Sequence, residues 1–204
     1  MKRYQVGFGI VLVFLVVFLM SGCLFDTDQK YYLPYQEGFS CYVAQGNQGW
    51  ISHTLLGKNA VDFLMPMNTH VVAARCGKIV DVVLNNPDIN CPICSNNYIT
   101  IEHSGGTITK YVHLNQDNSP KVQVGEYVQR GQFIAYSGNS GNSWLPHLHF
   151  EAWGPDANGE LSESLVIHFE DVDGDGVPRA YNTYTSRNHL GNGKCFNENG
   201  IVSE

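Results

Sequence analysis

The residues best suited to chemistry lie together in Pro146-His147-Leu148-His149-Phe150-Glu151. Leu148, Phe150, Ala152 and Trp153 suit a strand, and no helical period fits the stretch. Side chains two apart on a strand share a face, so His147 and His149 stand side by side. Two imidazoles placed this way can share one metal, or one can bind it while its neighbour handles protons. A pair of structural histidines satisfied by local hydrogen bonds is the alternative that these two residues alone leave open. The segment before them, Ser137 to Ser143, is small and polar throughout, a loop able to bring backbone close to a bound molecule.

Six further histidines occur, at 53, 70, 103, 113, 168 and 189, and no His-Glu-x-x-His is present. A metal site would therefore collect its ligands from separate strands. Asp62 lies in Asn59-Ala60-Val61-Asp62-Phe63, a carboxylate in an otherwise apolar strand, and buried carboxylates are rare without a partner or a metal. His53 precedes it, with a turn at Leu56-Gly57-Lys58 between them, and His113 ends the strand Tyr111-Val112-His113-Leu114. Near the C-terminus, Asp171, Asp173 and Asp175 with Gly176 match the first half of a calcium-binding loop. Asn182 stands where the closing glutamate belongs, so an acidic surface turn is the competing reading.

The elements that must position these residues are short. Strand patterns cover 41–44, 60–64, 70–74, 78–84, 98–103, 107–114, 132–137 and 147–153, with a hairpin turn at Ser104-Gly105-Gly106 and a further strand over 164–170. No helical period persists beyond two turns, which predicts an all-β domain, sandwich or barrel-like. The double turn from Val122 to Ala135 resembles the half-barrel of biotinyl and lipoyl carriers. Such a carrier needs a lysine at a hairpin tip, and neither Lys110 nor Lys121 occupies one.

The chain opens as an export signal, with Lys2 and Arg3 before an apolar run from Val6 to Met20 that is short for a membrane span. Ser21-Gly22-Cys23 resembles a bacterial lipobox, which implies cleavage before Cys23 and lipidation there. The expected organisation is a signal peptide over 1–22, a tether over 23–40, a domain carrying the candidate metal site over 41–155 and an extension over 156–204 with the Asp-rich turn. Acidic residues outnumber basic ones 19 to 12, and the net charge is -7, which argues against a nucleic-acid partner. Export places Cys41, Cys76, Cys91, Cys94 and Cys195 where disulfides persist. Cys91-Pro92-Ile93-Cys94 has no second pair to complete a zinc ribbon and no βαβ surroundings, so a structural disulfide in a loop is expected, with the pairing left open.

Taken together and in order, these motifs resemble the lysostaphin-type zinc endopeptidases. The resemblance rests on His53, Ala60-Val61-Asp62-Phe63, Met65-Pro66, Val71 to Arg75, Tyr111-Val112-His113-Leu114, Val124 to Val128, and Gly138-Asn139-Ser140-Gly141 leading into His147 to Glu151. It covers roughly residues 40–153. It implies a twisted antiparallel sheet or half-barrel with an open groove over Zn2+, with His53, Asp62 and His149 as ligands and His113 and His147 serving catalysis. It also implies peptidoglycan as substrate, which suits the lipid anchor at Cys23 in the bacterial cell envelope that the lipobox implies. A silent relative that binds the wall or activates other hydrolases is the alternative of the same fold. The chain departs from the family pattern at Asn68-Thr69-His70-Val71, at Trp144-Leu145-Pro146, in the insert around Pro87–Ser95, and in a longer spacing from His53 to Asp62.

Overall fold

The computed structural model describes residues 30–49, 53, 57–116, 122–155 and 161–191, with backbone alone at 161–163, 196–197 and 200–201. Its elements, among the described residues, are strands: β1 (Ser40–Gln45), β2 (Val61–Leu64), β3 (His70–Val72), β4 (Gly77–Val83), β5 (Tyr98–Glu102), β6 (Ile108–Val112), β7 (Tyr127–Val128), β8 (Phe133–Tyr136), β9 (His147–Pro155), β10 (Leu161–Ser164), β11 (Thr183–Thr185), β12 (Phe196–Asn197) and β13 (Gly200–Ile201). Nine of them form one sheet in the order β11-β1-β2-β9-β6-β5-β4-β7, with β10 added to β9, while β3–β8 and β12–β13 form two-stranded sheets. All named strand pairs are antiparallel. The all-β expectation holds, and the eight strands read from the sequence each appear within a few residues of their expected ends.

Alternation along β9 separates two faces. Leu148, Phe150 and Ala152 are buried, and their cross-strand neighbours Phe63, Val61 and Tyr111 join them in the core. Rings of Tyr111 and Phe150 stand 5.0 Å apart, Phe150 and Phe169 5.8 Å, and Tyr35 and Phe63 5.4 Å, in edge-to-face or tilted contacts. Burying such a ring stabilises the fold by roughly 1.5–3 kcal/mol. The opposite face of the same strands carries Asp62, His147, His149 and Glu151. Core packing thus fixes the register that brings the polar residues together.

Two segments do more than the sequence suggests. Leu33 and Tyr35, in the stretch expected to be a tether, are buried in the core. The C-terminal stretch supplies Ile167, Phe169, Val172 and Val177 to the same core, and β11 pairs with β1. The expected strand over 164–170 is instead β10 at Leu161–Ser164, followed by an irregular segment. Asp171 is turned inward, its carboxylate accepting the backbone N–H groups of Leu33 (2.9 Å) and Arg187 (2.9 Å). Asp175 accepts the Val177 N–H and pairs with Arg179. Two of the three carboxylates of the acidic motif thus hold groups of the chain itself, Asp171 from a buried position. Cys91 and Cys94 form a disulfide. Cys23, the leader and Cys195 lie outside the described residues.

Candidate metal centre and catalytic site

Asp62 and His149 are direct cross-strand partners on β2 and β9, and Leu64 faces His147 one step along. Such pairs bring Cβ atoms to within about 5.5 Å, so the register itself joins carboxylate and imidazole. His149 Nδ1 donates to Asp62 Oδ1 at 2.9 Å, and its Nε2 lies 3.7 Å from Glu151 Oε2. Gln45, at the end of β1, donates to Asp62 Oδ2 at 3.3 Å. His53 comes from outside the strands. Its Nδ1 donates to the Gly46 carbonyl at 2.8 Å, which fixes the tautomer and leaves a lone pair on Nε2. That Nε2 is buried, makes no hydrogen bond, and sits 3.1 Å from Asp62 Oδ2.

An imidazole lone pair facing a carboxylate oxygen, both withdrawn from water, is a place for a cation. One donor atom from each of His53, Asp62 and His149 lies within 4.8 Å of the others, and among the described residues this is the group able to hold a metal ion. Two imidazoles and one carboxylate suit zinc, and three protein ligands leave one coordination position open. The orphaned Nε2 of His53 is the feature of this structure that fits the ion.

Electrostatics follow from the same contacts. Burial alone would raise the Asp62 pKa, but the hydrogen bond and charge of His149, with the charge of His147 beyond it, outweigh it and hold the carboxyl well below the usual range. For His149, burial favours the neutral ring. The hydrogen bonds and charges of Asp62 and Glu151 overcome that and push its pKa up to about 9.

His113 and His147 stand beside this cluster, their rings 4.5 Å apart. Strand alternation would send His113 to the core face with Tyr111. The backbone prevents this: His113 has φ 64, in the left-handed region that a residue with a Cβ seldom enters, and the chain leaves the ladder there. The turn brings its ring to 6.1 Å from that of His149. Its Nδ1 donates to the Ser140 carbonyl at 2.7 Å. Burial and the neighbouring His147 lower its pKa to about 3. His147 Nδ1 donates to the Leu145 carbonyl at 2.7 Å with Ser143 Oγ at 3.0 Å, and its Nε2 is 3.7 Å from Asp62 Oδ1. Burial lowers its pKa too, partly offset by Asp62. Both rings thus commit Nδ1 to a backbone carbonyl, and Nε2 of His147 turns toward Asp62.

The structure brings all five predicted residues into one cluster. Sequence reasoning assigned no role to Glu151, although the strand period that pairs His147 with His149 also places Glu151 on their face. It likewise gave none to Gln45 or to the Ser140 and Leu145 carbonyls, which no residue type announces.

The profile of Peptidase family M23 matches residues 57–161, half of the chain. The chain belongs to peptidase family M23. Among curated M23 relatives, the peptidoglycan DD-endopeptidase ShyA of Vibrio cholerae is 38% identical over 93 residues, covering 46% of this chain and 19% of that protein. Lysostaphin of Staphylococcus staphylolyticus is 41% identical over 91 residues, covering 45% of this chain and 17% of that one. The match spans about a fifth of the length of these relatives. Among solved structures, the deep-sea M23 metalloprotease pseudoalterin aligns with a TM-score of 0.50 at 20% identity, over 79% of this chain and 97% of that one, a likeness of fold.

Proposed function

We propose that this M23 protein is a zinc-dependent endopeptidase that hydrolyses peptide bonds in peptidoglycan. The observation that carries the reading is the buried, unbonded Nε2 of His53 aimed at Asp62 beside His149, with His113 and His147 facing them. The M23 relatives named as peptidoglycan endopeptidases support the substrate class. His53, Asp62 and His149 would hold the ion. Zinc there supplies Lewis-acid activation of water and of the scissile carbonyl. His147 takes the proton from the attacking water on Nε2, its Nδ1 proton being committed to Leu145, and returns it to the leaving amine. His113, held neutral, offers its Nε2 as a hydrogen-bond acceptor from the other side and orients the reacting groups. Lipidation of Cys23 would hold the enzyme at the cell envelope, close to its substrate. The silent alternative is disfavoured, since each of the five positions is filled. Digestion of purified peptidoglycan, with fragments identified by mass spectrometry, tests the proposal. New amino termini within stem or bridge peptides are expected, and an unchanged fragment pattern would overturn it.

A further inference from the structure

The insert between β4 and β5 sits against the loop that carries the two catalytic histidines' hydrogen-bond acceptors. It is clasped at its base, where Asn97 Nδ2 donates to the Asn86 carbonyl at 2.9 Å and the Asn86 N–H donates to Asn97 Oδ1 at 2.8 Å. It is closed at its tip by the Cys91–Cys94 disulfide. Three contacts join it to the 138–146 loop. The Cys91 N–H donates to the Gly141 carbonyl at 2.7 Å, the Asn97 N–H donates to Ser140 Oγ at 2.9 Å, and the Asn139 N–H donates to the Asp88 carboxylate. The surfaces are in close contact: a Cβ at Gly138 would run into Asp88, and one at Gly141 into Asn96.

The residues so gripped are the ones next to the chemistry. The Ser140 carbonyl takes the Nδ1 proton of His113, and Ser140 Oγ also donates to the Leu114 carbonyl at 3.1 Å. With its amide nitrogen toward its donor-poor side, Asn139 donates to Ser143 Oγ at 2.9 Å, and that hydroxyl lies 3.0 Å from His147 Nδ1. One path therefore runs from Asn97 through Ser140 to His113, and another from Asp88 through Asn139 and Ser143 to His147.

We infer that the disulfide-closed insert Asn86–Asn97 is a positioning element for His113 and His147, acting through Asn139 and Ser140. The inference rests on the catalytic reading of those two histidines. No insert residue belongs to the metal cluster, so the insert sets the direction in which the two Nε2 atoms point and leaves metal binding alone. Misplacing a reacting group by about 1 Å can cost on the order of 10²-fold in rate.

The test uses the full zinc-loaded chain in detergent micelles, with Asp88→Ala, Asp88→Asn and the double variant Cys91→Ser/Cys94→Ser. Zinc content, kcat and KM on a soluble crosslinked muropeptide, and the ¹⁵N-resolved Nδ1 proton of His113 are measured for each. Asp88→Ala and the double variant should keep one zinc and a KM within about twofold, lose about 10–100-fold in kcat, and broaden or shift the His113 signal. Asp88→Asn retains an oxygen that can accept from Asn139 and should recover most of kcat. Parental kcat with an unmoved His113 signal in both damaged variants would overturn the inference, as would loss of zinc in step with kcat. If the parent shows no cleavage, the catalytic reading fails, and the His113 signal still decides whether the insert holds that ring.

Discussion

A proton and a metal ion compete for His149, and the competition can be measured. In the metal-free protein, Asp62 and Glu151 hold the His149 pKa up at about 9, so the ring is protonated at neutral pH. A metal ligand must be unprotonated. Zinc must therefore expel this proton, and its apparent affinity should fall tenfold for each pH unit below about 9, roughly 10²-fold by pH 7. The sign for stability is opposite in the two states. A raised histidine pKa stabilises the metal-free fold fully below its ordinary value of 6.5, and that contribution is lost as pH climbs through about 9. The zinc-loaded fold should gain over the same window, because tighter binding to the native state stabilises it. Chelator competition between pH 6 and 9, calorimetry in buffers of different ionisation enthalpy, and melting of both forms give the readout. Release of about one proton near pH 7.5 is expected, with melting temperatures that converge on acidification. A flat affinity with no proton released would refute the charge arrangement around His149.

Other predictions follow from single contacts. Glu151→Gln removes one of the two charges that hold the His149 proton, so the pH dependence of zinc affinity, read by chelator competition, should move to lower pH. His113→Ala and His147→Ala should each retain zinc while peptide cleavage falls about 10²–10⁴-fold, and loss of zinc in either would reassign the ligands. His113→Gly should melt higher than His113→Ala, by the equivalent of about 1 kcal/mol, because only glycine relaxes at φ 64. Phe63→Ala should cost about 3–5 kcal/mol in denaturant unfolding, since its ring lies buried between Tyr35 and Phe169. Cys23→Ala should lose the lipid label and detergent-phase partitioning. Uncleaved membrane retention would mark residues 6–20 as an anchor instead.

Local chemistry made much of this molecule legible before its structure. Strand alternation in Leu148, Phe150 and Ala152 set one face of β9 in the core, which by default turned His147 and His149 outward. A carboxylate between Val61 and Phe63 had to be explained, and the register opposite His149 explains it. The positions that escaped reading depend on tertiary context. Leu33 and Tyr35 look like linker until the sheet offers them a surface to cover. Asp171 carries a calcium-loop signature, yet the approach of two distant backbone N–H groups gives its carboxylate another use. The left-handed turn at His113 leaves no mark on residue type, since glycine or asparagine would be the usual choice there.

The most direct test of the account is a zinc titration of the metal-free protein against purified peptidoglycan, following bond cleavage by mass spectrometry. Cleavage should rise linearly to one equivalent of zinc and then stop rising, and Asp62→Ala and His149→Ala should show neither tight binding nor turnover. Full cleavage in the metal-free protein, or in either variant at stoichiometric zinc, would contradict it.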